Sequence, residues 1–124
     1  MEPAALVGRI AQGLPFQALV RLQENTLLSA RDIADLVAIP PRTLNRRKTE
    51  GRLDPEESDR LVRVARVYAK ALALFEGDGA AARTWFNAPV RALGNERPIR
   101  LARTDPGSRE VEALIDRLEQ GVLA

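Results

Sequence analysis

The side chains best suited to chemistry in this sequence are basic, and they gather over a short stretch near the middle of the chain. Between residues 42 and 52 the only acid is Glu50. A focused basic patch of this kind is what proteins use to hold a phosphate backbone, although a solvated helix face has the same composition. The pattern therefore predicts either a nucleic-acid contact or a polar helix surface. The basic residues are Arg42, Arg46, Arg47, Lys48 and Arg52.

Catalytic chemistry has few candidate residues. The chain has no cysteine and no histidine, which removes disulfides, thiolate nucleophiles, the commonest zinc ligands and the commonest general base. It has no glycine-rich phosphate-binding loop, and its adjacent acids Glu56 and Glu57 stand where a helix start explains them. We therefore expect a protein that is not an enzyme and that needs neither a cofactor nor a metal ion.

The size and composition of the chain are those of an ordinary globular protein. Its 124 residues suffice for one compact domain or two small helical units, and 45% of them are hydrophobic while 29% are charged. No apolar run approaches the roughly 18 residues that span a bilayer, and the amino terminus lacks the pattern of a secretory signal. We expect a cytoplasmic protein that does not associate with membranes.

The hydrophobic spacing predicts an all-α fold, because apolar residues recur at helical intervals and no stretch alternates for long enough to favour a strand. Two short helices are predicted over residues 4–10 and 14–25. Ser29 is the predicted cap of a third helix, because Asp32 follows three residues later and the two side chains can form a capping box. The predicted buried face of the second helix is Phe16, Leu19, Val20 and Gln23, and that of the third is Ala30, Ile33, Ala34 and Val37.

The basic patch belongs to a fourth predicted helix. Pro40 and Pro41 end the third helix and suit the start of a new one, so that the two helices form a helix-turn-helix, although the usual turn glycine is missing. Leu44 would hold the new helix to the protein. The opposite side would then read base edges, and the flanks would contact phosphates. The predicted base-reading residues are Arg42, Asn45 and Arg46, and the predicted phosphate contacts are Arg47 and Lys48.

The strongest helix signal runs from Asp54 to about Phe75. Asp54 is a good amino-terminal cap and Pro55 fits the first turn. From Val67 onward apolar residues surround most of the circumference, so this helix must be covered on several sides. It is therefore either the central helix of the monomer or part of an interface with a second chain, which Val67, Ala71 and Leu74 would form.

The remaining residues predict a second helical unit. Asp78 can cap a helix that carries Trp85, which we interpret as a core anchor. A last helix is predicted to begin between Asp105 and Ser108 and to end before Gly121. Its predicted buried face is Val111, Leu114, Ile115 and Leu118.

Four segments of the chain carry motifs that occur together in a known family. They are "GLP" at 13–15, "IPPRTLNRRKTEGRLDPEESDRLVRVARV" at 39–67, "ARTWFNAPVRALGNERPIRLART" at 82–104 and "VEALIDRLEQGV" at 111–122. The most specific parts are Arg-Thr-Leu followed by Arg-Arg-Lys, Glu-Ser-Asp-Arg at the start of the long helix, Trp-Phe-x-x-Pro and the closing Gly-Val. Together these segments, over nearly the whole chain, resemble the Xre/MbcA/ParS-type antitoxins, in which an Xre-like helix-turn-helix precedes a toxin-binding domain.

The resemblance implies a helix-turn-helix bundle over residues 1–53, joined by the long helix to a small helical toxin-binding domain within 54–124. It implies an antitoxin that occludes the active site of a RES-domain, NAD⁺-consuming toxin and that represses its own promoter, as a homodimer or a larger hetero-oligomer with toxin on operator DNA. A stand-alone transcription regulator without a toxin partner is the alternative. The toxin-binding residues that the resemblance implies are Arg117, Gln120, Gly121 and Val122.

Overall fold

The computed structural model describes residues 3–121, and the regular elements of this part of the chain are all helices. It contains eight α-helices and one short 3-10 helix at Arg91–Leu93. No helix among these residues is long and apolar enough to cross a membrane. The α-helices are α1 (Pro3–Gln12), α2 (Phe16–Thr26), α3 (Ala30–Leu36), α4 (Pro41–Glu50), α5 (Pro55–Leu74), α6 (Gly79–Asn87), α7 (Pro98–Leu101) and α8 (Asp105–Glu119).

Two compact units make up the chain, and they divide between Val62 and Arg63. The first contains the α3–α4 helix-turn-helix and the second is a small helical unit that ends with α8. Extended pairing within residues 3–121 is limited to isolated bridges, Pro15 with Arg52 and Val90 with Glu96. The predicted all-α fold, a helix-turn-helix followed by a carboxy-terminal helical domain, is confirmed.

Local capping chemistry sets where the helices begin. The Ser29 hydroxyl accepts a hydrogen bond from the Asp32 backbone N–H at 3.0 Å and so caps α3. Asp78 and Thr104 cap α6 and α8 in the same way. α4 begins at Pro41, as predicted, since proline is well tolerated at the first helical position.

The helix-turn-helix turn has an alanine in the position that often holds glycine. Ala38 adopts φ 54°, in the left-handed region. The Ile39 N–H donates to the Ala34 carbonyl at 2.9 Å, and the Arg60 Nε of α5 donates to the Val37 carbonyl at 2.6 Å. These bonds satisfy carbonyls at the end of α3 and offset the strain at Ala38, which costs about 1–2 kcal/mol in a non-glycine residue.

Burial in the first unit differs in detail from the predicted helix faces. Thr26 is buried at the end of α2, where its hydroxyl donates to the Leu22 carbonyl at 2.7 Å. Phe16, Val20 and Gln23 are only half-buried and Ala30 is exposed, because spacing along one helix does not give the angle at which its neighbours cover it. The buried apolar residues of this unit are Leu19, Leu22, Leu28, Ile33, Ala34, Leu36, Val37, Ile39, Leu53 and Leu61.

The Gly13-Leu14-Pro15 segment pairs with the backbone that follows α4. The Leu53 N–H donates to the Leu14 carbonyl at 2.9 Å, and the Leu14 N–H donates to the Ser58 hydroxyl at 2.8 Å. Gly13 has φ +86°, and a Cβ there would collide with the Leu53 carbonyl oxygen. Only glycine therefore lets the two segments approach this closely.

Three apolar residues of α5 were predicted to form a possible interface with a second chain. The chain itself covers two of them. Val67 and Ala71 are fully buried, while Leu74 is half-buried. Val67 and Ala71 therefore need no second chain to cover them, which agrees with the first of the two alternatives, a central helix of the monomer. The buried residues in the second half of α5 are Val64, Val67, Tyr68 and Ala71.

Of the two aromatic residues of α6, Phe86 is buried and Trp85 is not. Phe86 is fully buried and its ring meets Tyr68 edge-on at a centroid distance of 5.6 Å. Trp85 is half-buried and lies 6.3 Å from the Phe75 ring. The prediction of Trp85 as the core anchor was wrong by one position, which on a helix turns the side chain by about 100°.

α8 provides the other buried face of this unit. Val111, Leu114 and Ile115 are buried as predicted, whereas Leu118 is half-buried. Two ion pairs connect α8 to α5, Arg66 with Glu112 at 2.6 Å and Lys70 with Asp116 at 2.8 Å. Such exposed pairs contribute little stability, so the apolar contacts hold the unit together.

Candidate DNA-binding and toxin-binding sites

α4 presents a basic surface in the first unit. Arg42, Asn45, Arg46 and Lys48 are exposed. Within α4 itself no residue is buried, and Leu44 is half-buried, so the helix is held by partial contacts and by its ends. The part of α4 from Arg42 to Arg46, which carries these two residues and Asn45, is therefore accessible to a groove of DNA. These residues stay a prediction as DNA contacts.

Arg47 is paired with acidic side chains of its own unit, and its predicted phosphate contact stays a prediction. Its Nε donates to Glu57 Oε1 at 2.8 Å, its Nη1 to Glu50 Oε1 at 3.0 Å and its Nη2 to Asp54 Oδ2 at 3.3 Å. Only 17% of its side chain is exposed. The hydrogen bonds with Glu57 and then Glu50 raise the pKa of the guanidinium above its ordinary value. This cation is thus already occupied by three carboxylates.

Glu57 organises the start of α5. Its Oε1 accepts from the Asp54 N–H at 2.9 Å, while the Glu57 N–H donates to Asp54 Oδ1 at 2.8 Å. These reciprocal bonds form a capping box, in which a side chain at each end satisfies the other's backbone donor. Glu57 is buried, with 4% exposure. The Asp-x-x-Glu spacing could have predicted the capping box, but not the bond from Arg47.

The end of α8 is open on the side away from the buried residues of the second unit. Arg117, Gln120 and Gly121 are exposed, and Gly121 takes φ +74° just after the helix. Arg117 also lines a cavity of about 520 Å³ that Leu93 and Ala113 border. The fourth predicted toxin contact, Val122, lies outside the described residues.

These features define a two-domain helical protein in which a helix-turn-helix with an exposed basic helix precedes a small helical domain. Comparison with protein families matches each unit to a known domain. The Antitoxin Xre-like helix-turn-helix domain matches residues 5–66. The Antitoxin Xre/MbcA/ParS C-terminal toxin-binding domain matches residues 70–121.

Individual relatives match over almost the whole chain. Antitoxin Xre of Yersinia enterocolitica is 38% identical over 120 residues, which span 96% of this chain and 81% of that protein. Antitoxin Xre proteins of Photorhabdus laumondii and Pseudomonas putida are each 32% identical over 114 residues, or 91% of this chain, and 77% and 70% of those proteins. The chain belongs to the Xre antitoxin family of toxin–antitoxin systems, and its two domains imply a toxin and DNA as partners.

Proposed function

We propose that this antitoxin neutralises a RES-domain toxin by occluding the toxin's NAD⁺ site. The observation that carries the proposal is the arrangement of α8, the last helix of the toxin-binding domain. Val111, Leu114 and Ile115 are buried, while Arg117 and Gln120 are exposed. The helix can therefore keep its place in the domain while its exposed end meets a partner.

Occlusion requires no catalytic group in the antitoxin. A segment that lies over a substrate pocket blocks NAD⁺ entry by its bulk, and a larger surrounding surface can supply most of the affinity. Exposed polar groups at the end of α8, from Arg117 to Gly121, suit contact with an active site that binds a charged dinucleotide. We assign toxin binding to residues 54–124 and propose Arg117, Gln120, Gly121 and Val122 as contacts.

DNA binding is proposed for the helix-turn-helix region, residues 1–53. Arg42, Asn45 and Arg46 are exposed within the first six residues of α4. Recognition helices read base edges from this end, and Lys48 suits a phosphate contact. One short recognition helix reads few base pairs, so a dimer or a larger assembly with toxin would bind a two-fold symmetric operator. Occupancy of the antitoxin's own promoter would then repress the operon.

Coexpression with the product of the neighbouring gene tests the proposed toxin partnership. We expect the two proteins to co-purify, the separated partner to consume NAD⁺, and added antitoxin to stop that consumption in proportion to its molar ratio. Mass measurement of the complex gives the stoichiometry. An antitoxin in which Arg42 and Arg46 are both replaced by alanine is the matched control, since it should neutralise normally.

A partner that binds tightly but leaves NAD⁺ intact would refute the RES-type assignment while it left family membership untouched. A partner that consumes NAD⁺ at the same rate with and without bound antitoxin would refute occlusion. The two results are distinguishable because binding and NAD⁺ loss are measured on the same preparation.

A further inference from the structure

Arg47 differs from its basic neighbours in what surrounds it. Arg46 and Lys48 on either side are exposed, whereas the Arg47 guanidinium meets the carboxylates of Glu50, Asp54 and Glu57. Three acids therefore share this one cation. A guanidinium that is already paired in this way has little charge left to offer a phosphate group.

Burial of Glu57 gives its contact with Arg47 a structural role. The Glu57 side chain is only 6% exposed, and a buried carboxylate must be paired and hydrogen-bonded. Glu57 Oε1 receives both the Asp54 N–H at 2.9 Å and the Arg47 Nε at 2.8 Å. One oxygen atom of Glu57 therefore connects the start of α5 with Arg47 of α4.

The hydrogen bond from Arg47 to Glu57 fixes the rotation of α4 about its own axis. Arg47 follows Arg46 directly and Asn45 by two positions, so any rotation that moves Arg47 away from Glu57 turns both residues by the same angle. Productive recognition tolerates errors of only about 0.5 Å or 10–20°. From this geometry we propose that Arg47 is a positioning residue, which aims Asn45 and Arg46 at the DNA and does not contact phosphate itself.

Arginine suits this role better than lysine would. Its planar guanidinium donates in several fixed directions, and here Nε, Nη1 and Nη2 each meet a different carboxylate. A lysine would supply one mobile ammonium group and could hold Glu57 without fixing the angle of the helix. The Arg47→Lys variant should therefore retain the charge but recover only part of the positioning.

The inference rests on the proposed operator binding, and its test compares charge-matched variants on two DNA duplexes. One duplex is selected by the wild-type protein from a random pool and the other is its scrambled counterpart. The variants are Arg47→Met, Arg47→Lys, Glu57→Gln, the double variant Arg47→Met/Glu57→Gln and the control Lys48→Met. Affinity is measured against salt concentration for samples that circular dichroism shows to be fully folded.

We expect Arg47→Met to lower the ratio of the affinities for the selected and the scrambled duplex at least about tenfold. The salt slope, which is the slope of log affinity against log salt concentration, should stay unchanged. Lys48→Met, with the same change in charge, should reduce the slope by about 0.9 and keep the ratio. Glu57→Gln removes a negative charge and would strengthen DNA binding by charge alone, yet it should lower the ratio. The double variant removes both buried charges, and is the variant to measure where Arg47→Met does not fold.

A slope that falls by about 0.9 in the Arg47 variants, as for Lys48→Met, would overturn the proposal, because it would identify Arg47 as a phosphate contact. An unchanged affinity ratio in folded Arg47→Met and in the double variant would overturn it as well. If the wild-type protein shows no preference for the selected duplex, the proposed operator binding fails. The slope on the scrambled duplex still decides the phosphate contact in that case.

Discussion

Replacing Gly13 by alanine is expected to lower the free energy of unfolding by roughly 2–5 kcal/mol, a large part of the stability of a small protein. The left-handed backbone, at φ +86°, costs an alanine about 1–2 kcal/mol. The added Cβ would also collide with the Leu53 carbonyl oxygen, and relieving such overpacking typically costs a further 1–3 kcal/mol or so. Thermal unfolding should show a fall in midpoint of roughly 10 °C or more.

Gly8 provides the matched control for this substitution. It lies within α1 and has no atom within 4 Å of the place where its Cβ would stand. Gly8→Ala should therefore leave the protein as stable as the wild type, or raise its stability by about 0.5–1 kcal/mol through helix propensity. A Gly13→Ala protein that unfolds at the same temperature as Gly8→Ala would mean that the pairing with Leu53 does not hold the first unit together.

Alanine at both Arg42 and Arg46 should remove most sequence-specific binding to the operator. A side chain that reads a base edge contributes about 1–3 kcal/mol, so the pair together should weaken specific binding by on the order of 100-fold or more. Both side chains are exposed, and their loss should leave the fold unchanged. Fluorescence anisotropy with a promoter duplex and a scrambled duplex measures the effect.

The control for charge is a double alanine variant at Arg100 and Arg109, two exposed arginines of the second unit. It has the same net charge as the Arg42/Arg46 variant and should bind the promoter like the wild type. Equal affinity of both variants for the promoter would contradict the assignment of α4 as the recognition helix.

Local signals predicted the starts of helices well. Ser29 caps α3 through a bond to a backbone N–H only three residues away, and Pro41 begins α4 because its ring suits a first turn. These interactions depend on a few neighbouring residues, which the sequence displays directly. The order of elements, and with it the fold class, followed from the same signals.

Burial was harder to predict because it depends on residues that are distant in sequence. Trp85 and Phe86 are adjacent aromatic residues, yet it is Phe86, whose ring meets Tyr68, that lies in the interior. The sequence likewise did not indicate that the chain itself covers Val67 and Ala71. Helical spacing identifies an apolar face but not the number of surfaces that pack on it.

The candidate site was predictable as a patch but not residue by residue. Exposed Arg42, Arg46 and Lys48 agree with the basic patch, because charged residues stay on the surface unless something pairs with them. Arg47 has such a partner in Glu57, ten residues further along. That bond requires the angle between α4 and α5, which a helical wheel of α4 alone does not contain.

Removal of residues 120–124 tests the central claim, that the end of the toxin-binding domain blocks the toxin's active site. The buried residues Val111, Leu114 and Ile115 remain in the truncated chain, so it should fold, bind toxin and bind promoter DNA as before. The measurement is NAD⁺ loss by purified toxin at saturating antitoxin, full-length against truncated. We predict that the full-length chain stops NAD⁺ loss. With the truncated chain bound, the toxin should still consume NAD⁺ at a measurable part of its uninhibited rate. Complete inhibition by a folded and bound truncated chain would contradict the account.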